Sequence, residues 1–157
     1  MELELIKKLR DMTGAGISEC ADVIDESGGN IAKALVLLRE RGKLKVAKRE
    51  SRATHEGLIT SYVHQTGRVG VLLELRSESD FVARTKEFGE LAHELCMQIA
   101  AMNPRQDHHS ENDDERTPLL NQYYIRDEQR TIRELIAEYS AKFGEKIEVA
   151  RFARFEL

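Results

Sequence analysis

The sequence predicts an α+β protein: a three-helix module over 1–42, a basic helical linker over 43–56, and an α+β core over 57–157. Three observations carry this. Residues 1–42 hold three short apolar stripes of helical period, separated by glycine clusters. Residues 57–76 alternate apolar and polar around a tight-turn pair, Thr66-Gly67. The remainder runs helix, polar loop, helix, strand. Strand, strand, helix, helix, strand closes most economically as a three-stranded antiparallel sheet with helices on one face.

Bulk properties bound the reading. At 157 residues the chain is one domain, or one modest domain plus a small helical module, and long enough to bury a core without staples. With 41% hydrophobic and 33% charged residues its composition is that of an ordinary globular chain. A formal net charge of −4 argues against an electrostatic grip on nucleic acid. Cys20 and Cys96 have no metal-ligand spacing and fall on apolar faces, so buried free thiols in a reducing compartment are expected. The opening MELELIKKLRD is too charged for a signal peptide, and no apolar run approaches a membrane span. The expected location is the cytoplasm.

Leu5, Ile6 and Leu9 form one stripe, giving a first helix over 2–11 that Thr13-Gly14-Ala15-Gly16 breaks. A second helix starts at Ser18 as its N-cap and puts Cys20, Val23 and Ile24 on one face. Ser27-Gly28-Gly29 stops it, and Asn30 caps a third helix running to Arg41, with Gly42 as its C′ residue. None would be stable alone; three can bury a shared core, which makes a compact binding module. Gly14 and Gly16 lack a following Lys-Thr, so no phosphate loop is read there. The pattern is similar to a ubiquitin-associated (UBA-like) three-helix module. Its wording, LRDMTGAGISEC followed by GGNIAKALVLLRERG, more specifically resembles the N-terminal domain of bacterial elongation factor Ts, the nucleotide exchange factor of elongation factor Tu.

Lys43, Lys45, Lys48, Arg49 and Arg52 form the linker. No aromatic interleaves these charges, so a solvated connector is favoured over a nucleic-acid contact. Such a tether lets module and core engage one partner at two places. In the core, 57–64 is the first strand and 68–76 the return strand, with Val69, Val71, Leu73 and Leu75 on one face. Leu72, opposite, implies that both sides are partly covered. His64 has no readable nucleophile or carboxylate partner and is a surface histidine.

Glu78-Ser79-Asp80-Phe81-Val82-Ala83 then joins strand to helix. A junction should be polar and small, so from the residues alone Phe81 belongs folded back into the core. The surrounding TGRVGVLLELRSESDFVARTKEF is similar to the second hallmark of elongation factor Ts, which has Thr-Asp-Phe-Val where this chain has Ser79-Asp80-Phe81-Val82. The exchange of threonine for serine keeps the hydroxyl. This resemblance reverses the reading of Phe81, making it an exposed wedge.

Thr85 caps a helix to about Met102 whose core stripe is Phe88, Leu91, Leu95, Ile99 and Met102, with Pro104 just beyond. Residues 105–117 form a polar, acidic, flexible loop. Its His108, His109, Glu111, Asp113, Asp114 and Glu115 are weighed as metal ligands and rejected, since neighbours on a flexible loop rarely converge. Leu119 to Ile125 resembles the family's extended segment. Thr131 and Glu134 make a capping box for a helix with Ile132, Leu135, Ile136, Tyr139 and Phe143 inward, ended by Gly144. Lys146 to Phe155 is the last strand.

The resemblance implies a factor that catalyses no bond chemistry, needs no cofactor or metal, binds elongation factor Tu with GDP and promotes GDP release. It implies partner contacts at Ser79, Asp80, Phe81 and Val82, which disturb the Mg²⁺ region of the GTPase, and at Arg10, Ile17 and Ser18 of the module, where the family usually has a larger residue than Ser18. Longer family members contain the core unit twice; this chain has room for one, which implies a homodimer through the final strand and sheet surface. No membrane or direct nucleic-acid partner is expected. The alternative is a UBA-like adaptor without exchange activity.

Overall fold

The computed structural model describes residues 2–107 and 115–157. The candidate ligands His108, His109, Glu111, Asp113 and Asp114 lie outside the described residues. The chain divides into two units, Met1–Ser51 and Arg52–Leu157.

The first unit is three helices: α1 (Glu2–Thr13), α2 (Ile17–Glu26) and α3 (Ile31–Arg49). Leu9, Cys20, Val23, Ile24, Ala34 and Leu38 form its buried core, flanked by Leu5, Ile6, Ile31 and Leu35. Helix α1 runs two residues past the expected end, and at that end the Thr13 hydroxyl donates back to the Leu9 carbonyl (2.7 Å). The N-cap of α2 is Gly16, without a side-chain bond, and Ser18 lies inside the helix. Asn30 does cap α3, its Oδ1 accepting from the Lys33 N–H at 3.1 Å. Gly42 does not end that helix: it keeps a negative φ and α3 continues to Arg49. The strong helix formers after it (Lys43, Leu44, Lys45, Ala47, Lys48) offset one glycine, which costs about 1 kcal/mol against alanine. Two of the basic residues are tied locally, Lys43 to Glu40 (3.0 Å) and Lys45 to Glu19 (2.7 Å), which fits a solvated helix rather than an open basic patch.

The second unit is built on β1 (Glu56–Val63), β2 (Val69–Ser77) and β5 (Glu148–Glu156), antiparallel in the order β1-β2-β5. Between them come α4 (Asp80–Ala83), α5 (Lys86–Met102), a 3₁₀ turn (Leu119–Asn121), β3 (Tyr123–Tyr124), β4 (Asp127–Thr131) and α6 (Ile132–Phe143). Helix α5 packs on β1 and β2, and α6 packs on α5 and on the small β3–β4 hairpin. Val71, Leu73, Leu75 and Phe152 of the sheet meet Phe88, Leu91, Leu95 and Ile99 of α5 and Ile132, Leu135 and Ile136 of α6 in one core. The expected stripe of α5 holds except at Met102, which is half exposed at the last turn. Thr85 caps α5 by accepting from the Phe88 N–H (3.2 Å), and Thr131 and Glu134 form the capping box of α6. The hairpin β3–β4 replaces an expected extended segment. The fully buried Gln98 amide holds it, donating to Tyr123 O (3.0 Å) and accepting from Ile125 N–H (2.9 Å). Both cysteines are buried; burial pushes the Cys96 thiol up to about 11 and raises Cys20 as well.

Among the described residues of the second unit, α5 and α6 pack on the inner face of the sheet and no helix of this unit covers the outer one. Three cross-strand rows lie there: Val63–Gly70–Phe155, Ser61–Leu72–Ala153 and Ile59–Glu74–Arg151. Ile59, Val63, Leu72 and Phe155 are all more than half exposed, so among the described residues of this unit Leu72 lacks the cover expected for it. At the charged end of this face, hydrogen bonds from Arg151 and then Arg76 hold the Glu74 carboxyl below its ordinary range.

Gly57, second in β1, has φ +154°, and a Cβ there would stand 2.2 Å from the Leu75 carbonyl oxygen. Backbone cannot yield as a flexible side chain does. Gly57→Ala is therefore expected to destabilise the second unit by about 2 kcal/mol, as other residues forced into such backbone do. A thermal melt checks it, and an unchanged midpoint would show that the strand start shifts freely.

Candidate functional site

The strand-to-helix junction is the feature the fold exposes most deliberately. Ser77 at the end of β2 is fully buried and its hydroxyl donates to the Ser79 carbonyl (2.9 Å). Ser79 sits in extended conformation as N-cap of α4, its Oγ accepting from the Val82 N–H at 3.4 Å. One helical turn comes next, capped at its end by Arg84, and the Thr85 hydroxyl just beyond it donates to the Val82 carbonyl (2.8 Å). Within that turn the side chains part company. Val82 and Ala83 are buried in the core cluster, while Phe81 points outward at 83% exposure. The core placement that residue type alone favours for Phe81 is thus wrong. The inward face of this turn is formed by Val82 and Ala83, and Phe81 lies on its outer side. Asp80 is half exposed and faces Arg84 one turn on at 3.4 Å.

A turn this short does not hold itself, since helix nucleation costs more than its few bonds return. The support comes from Glu145, just past the left-handed Gly144 (φ 71°) that ends α6. Glu145 Oε2 accepts from the backbone N–H groups of Glu78 (3.1 Å) and Ser79 (3.0 Å), and its Oε1 accepts from the Ser79 hydroxyl. In return the Glu78 carboxylate accepts from the Lys146 N–H (2.7 Å) and pairs with Arg52 (3.3 Å). No sequence pattern signals this brace. The partners lie more than sixty residues apart, and a lone glutamate after a helix-ending glycine is the only local mark.

In the first unit, Arg10 near the end of α1 and Ile17 and Ser18 opening α2 are all exposed and flank the turn at residues 14–16. Ile17 is 60% exposed, an apolar side chain on the surface. Met12, 56% exposed on the last turn of α1, joins it as an apolar surface residue that the stripe argument passed over, being off the Leu5–Leu9 face. Among the described residues, no group of three or more His, Cys, Asp or Glu side chains is placed to hold a metal. No helix among them is long and apolar enough to cross a membrane. His64 is exposed and shares a hydrogen bond with the Tyr62 hydroxyl (3.0 Å).

The family model for elongation factor TS matches residues 23–118, which include the junction. Elongation factor Ts of Thermotoga neapolitana is 40% identical, aligned over the whole of this chain and 97% of the relative. The Thermotoga maritima protein is likewise 40% identical, over 100% of this chain and 96% of its own length. That of Caldanaerobacter subterraneus subsp. tengcongensis is 38% identical over 98% of this chain and 94% of the relative. The first alignment runs over 191 positions, more than the 157 residues here, so that relative carries residues this chain lacks. An exposed phenylalanine on a braced turn beside a buried valine, and likeness along the full length, converge on one conclusion: the chain belongs to the elongation factor Ts family of translation elongation factors.

Proposed function

We propose that this protein binds elongation factor Tu in its GDP state and speeds GDP release, so that GTP can rebind. The observation that carries this is Phe81, an aromatic side chain at 83% exposure on a turn whose backbone is fixed from beneath. Large aromatics are the residues most often found as interface anchors, and here the anchor is presented without a cost in core packing. Phe81 enters the GTPase domain and Asp80 hydrogen-bonds there, displacing the segment that holds Mg²⁺. Loss of that ion's charge interaction with the phosphates loosens the nucleotide. Ser79 caps the turn and Val82 ties it to the core, so both serve the site through Phe81 and Asp80. Arg10, Ile17 and Ser18 supply a second contact on the GTPase, and the two footholds share one tether.

Linkage fixes the thermodynamics. A factor that weakens GDP binding is itself weakened by GDP by the same ratio. A coupling of about 4 kcal/mol corresponds to roughly three orders of magnitude in nucleotide affinity. The protein breaks and forms no covalent bond in this role, needs no cofactor of its own, and works beside its partner in the cytoplasm, without a membrane or direct nucleic-acid contact. Stopped-flow release of fluorescent GDP from elongation factor Tu is expected to accelerate with factor concentration and to saturate. Release at the intrinsic rate would reject the reading, and retention of no nucleotide-free GTPase in a pull-down would favour the UBA-like adaptor.

The same reading includes a homodimer. What supports it is the outer sheet face, which no helix of the second unit covers among the described residues and where Ile59, Val63, Leu72 and Phe155 present apolar side chains in neighbouring rows. A cluster of exposed apolar side chains of this kind, rimmed by Glu74 and Arg151, marks an interaction surface, and a second copy related by a two-fold axis offers a self-complementary cover.

A further inference from the structure

The brace between Glu145 and the junction does more than close a loop. Glu145 touches both residues preceding the wedge turn, through two backbone N–H groups and one hydroxyl. It is itself fixed at its base: its carbonyl accepts from the Ser140 hydroxyl of α6 at 2.6 Å. The return bond from the Lys146 N–H to Glu78 makes the connection two-way, so the segments 78–79 and 145–146 are cross-linked by short polar contacts. A wedge is effective only if its direction is set before it meets the partner, because any freedom in its backbone must be frozen on binding.

We infer that Glu145 is a positioning residue for exchange: by fixing the backbone of Glu78 and Ser79 it sets the direction in which Phe81 leaves the surface. This rests on the proposed exchange role. Charge-assisted hydrogen bonds to backbone N–H groups are the stronger kind, and three hydrogen bonds converge here on one carboxylate. The Ser79 hydroxyl takes part twice, donating to Glu145 and accepting from the Val82 N–H, so the brace reaches the first turn of α4 directly.

The test uses the full chain with Glu145→Ala, Glu145→Gln and Glu145→Asp beside wild type and Phe81→Ala. Three quantities are read: the maximal rate of fluorescent GDP release from elongation factor Tu per folded factor, amide hydrogen exchange at residues 78–82, and the thermal midpoint. Glu145→Ala is expected to lower the rate about tenfold and to strip protection from the Glu78 and Ser79 amides. Glu145→Gln keeps an oxygen for both N–H groups and is expected to stay within about threefold of wild type. Glu145→Asp draws the carboxylate back by one methylene and should fall between, and it carries the test if the alanine variant does not fold. Wild-type rates in both the alanine and aspartate variants overturn the inference. So does a lowered rate with undisturbed amides at 78–82, which would make Glu145 a direct contact, or a loss tracking only the fraction unfolded, which would make it merely structural. If wild type itself fails to accelerate release, the exchange reading falls and takes the role in exchange with it, while the amide measurement still shows whether Glu145 holds the turn.

Discussion

Phe81→Ala is expected to slow factor-stimulated GDP release from elongation factor Tu by about 100-fold, while the melting midpoint of the chain stays where it was. The two halves of this result come from one number. At 83% exposure the ring contributes little to the fold, so its removal should change stability by no more than about 0.5 kcal/mol, as for other surface positions. An interface anchor truncated to alanine typically costs about 2–4 kcal/mol, and every 1.36 kcal/mol is about a factor of ten in rate. The neighbouring Val82 supplies the contrast. Val82→Ala removes a buried side chain from the core cluster, so it should lower the midpoint first and affect exchange only as the turn loosens. Stopped-flow traces with fluorescent GDP, paired with thermal melts of both variants, separate the roles. Exchange unchanged in Phe81→Ala would remove the wedge from the mechanism. Unfolding of that variant would mean that the ring is held by the core after all.

How far such a site can be read from sequence depends on where its determinants lie along the chain. Local determinants are legible. The caps at Asn30, Thr85 and Thr131 act within three residues of themselves, and the period-2 pattern of Val69, Val71, Leu73 and Leu75 sets the core face of β2. Distant ones are not. Glu145 reaches Ser79 across the whole of α5 and α6, and nothing in the stretch around it distinguishes a brace from a solvated acid. The β3–β4 hairpin escapes for the same reason: Asp127–Thr131 has no apolar alternation, and its conformation is imposed by the buried Gln98 of α5. Gly42 misleads in the other direction. There a local stop signal is outweighed by the helix propensity of residues 43–48. Phe81 is the sharpest case, because residue type favours burial and only the likeness to a family motif favours exposure. The structure explains why type misleads. The inward side of this turn is taken by Val82 and Ala83, which leaves Phe81 on the outer side.

The second large effect is expected on assembly. Leu72→Arg should convert a dimer at micromolar concentration into a monomer, with the fold retained. Leu72 sits on the central strand, between Ser61 on β1 and Ala153 on β5, so it marks the middle of the outer sheet face. Its side chain points away from the core that Leu73 enters, and at 51% exposure it has room for a longer, charged replacement in the free chain. In a two-fold pairing the middle of the face meets its own symmetry mate or its near neighbours, so each interface would receive two added charges with no partner. Burying an unpaired charge costs several kcal/mol, and about 4 kcal/mol weakens association by roughly a thousandfold. Glu74 does not relieve this, being already engaged by Arg76 and Arg151. Multi-angle light scattering of wild type and variant at the same micromolar concentrations reads the result directly. A monomeric wild type would sink the dimer. A variant that stays dimeric would keep the dimer but move it off this face, leaving the exposed Ile59, Val63, Leu72 and Phe155 to be covered by something other than a second copy.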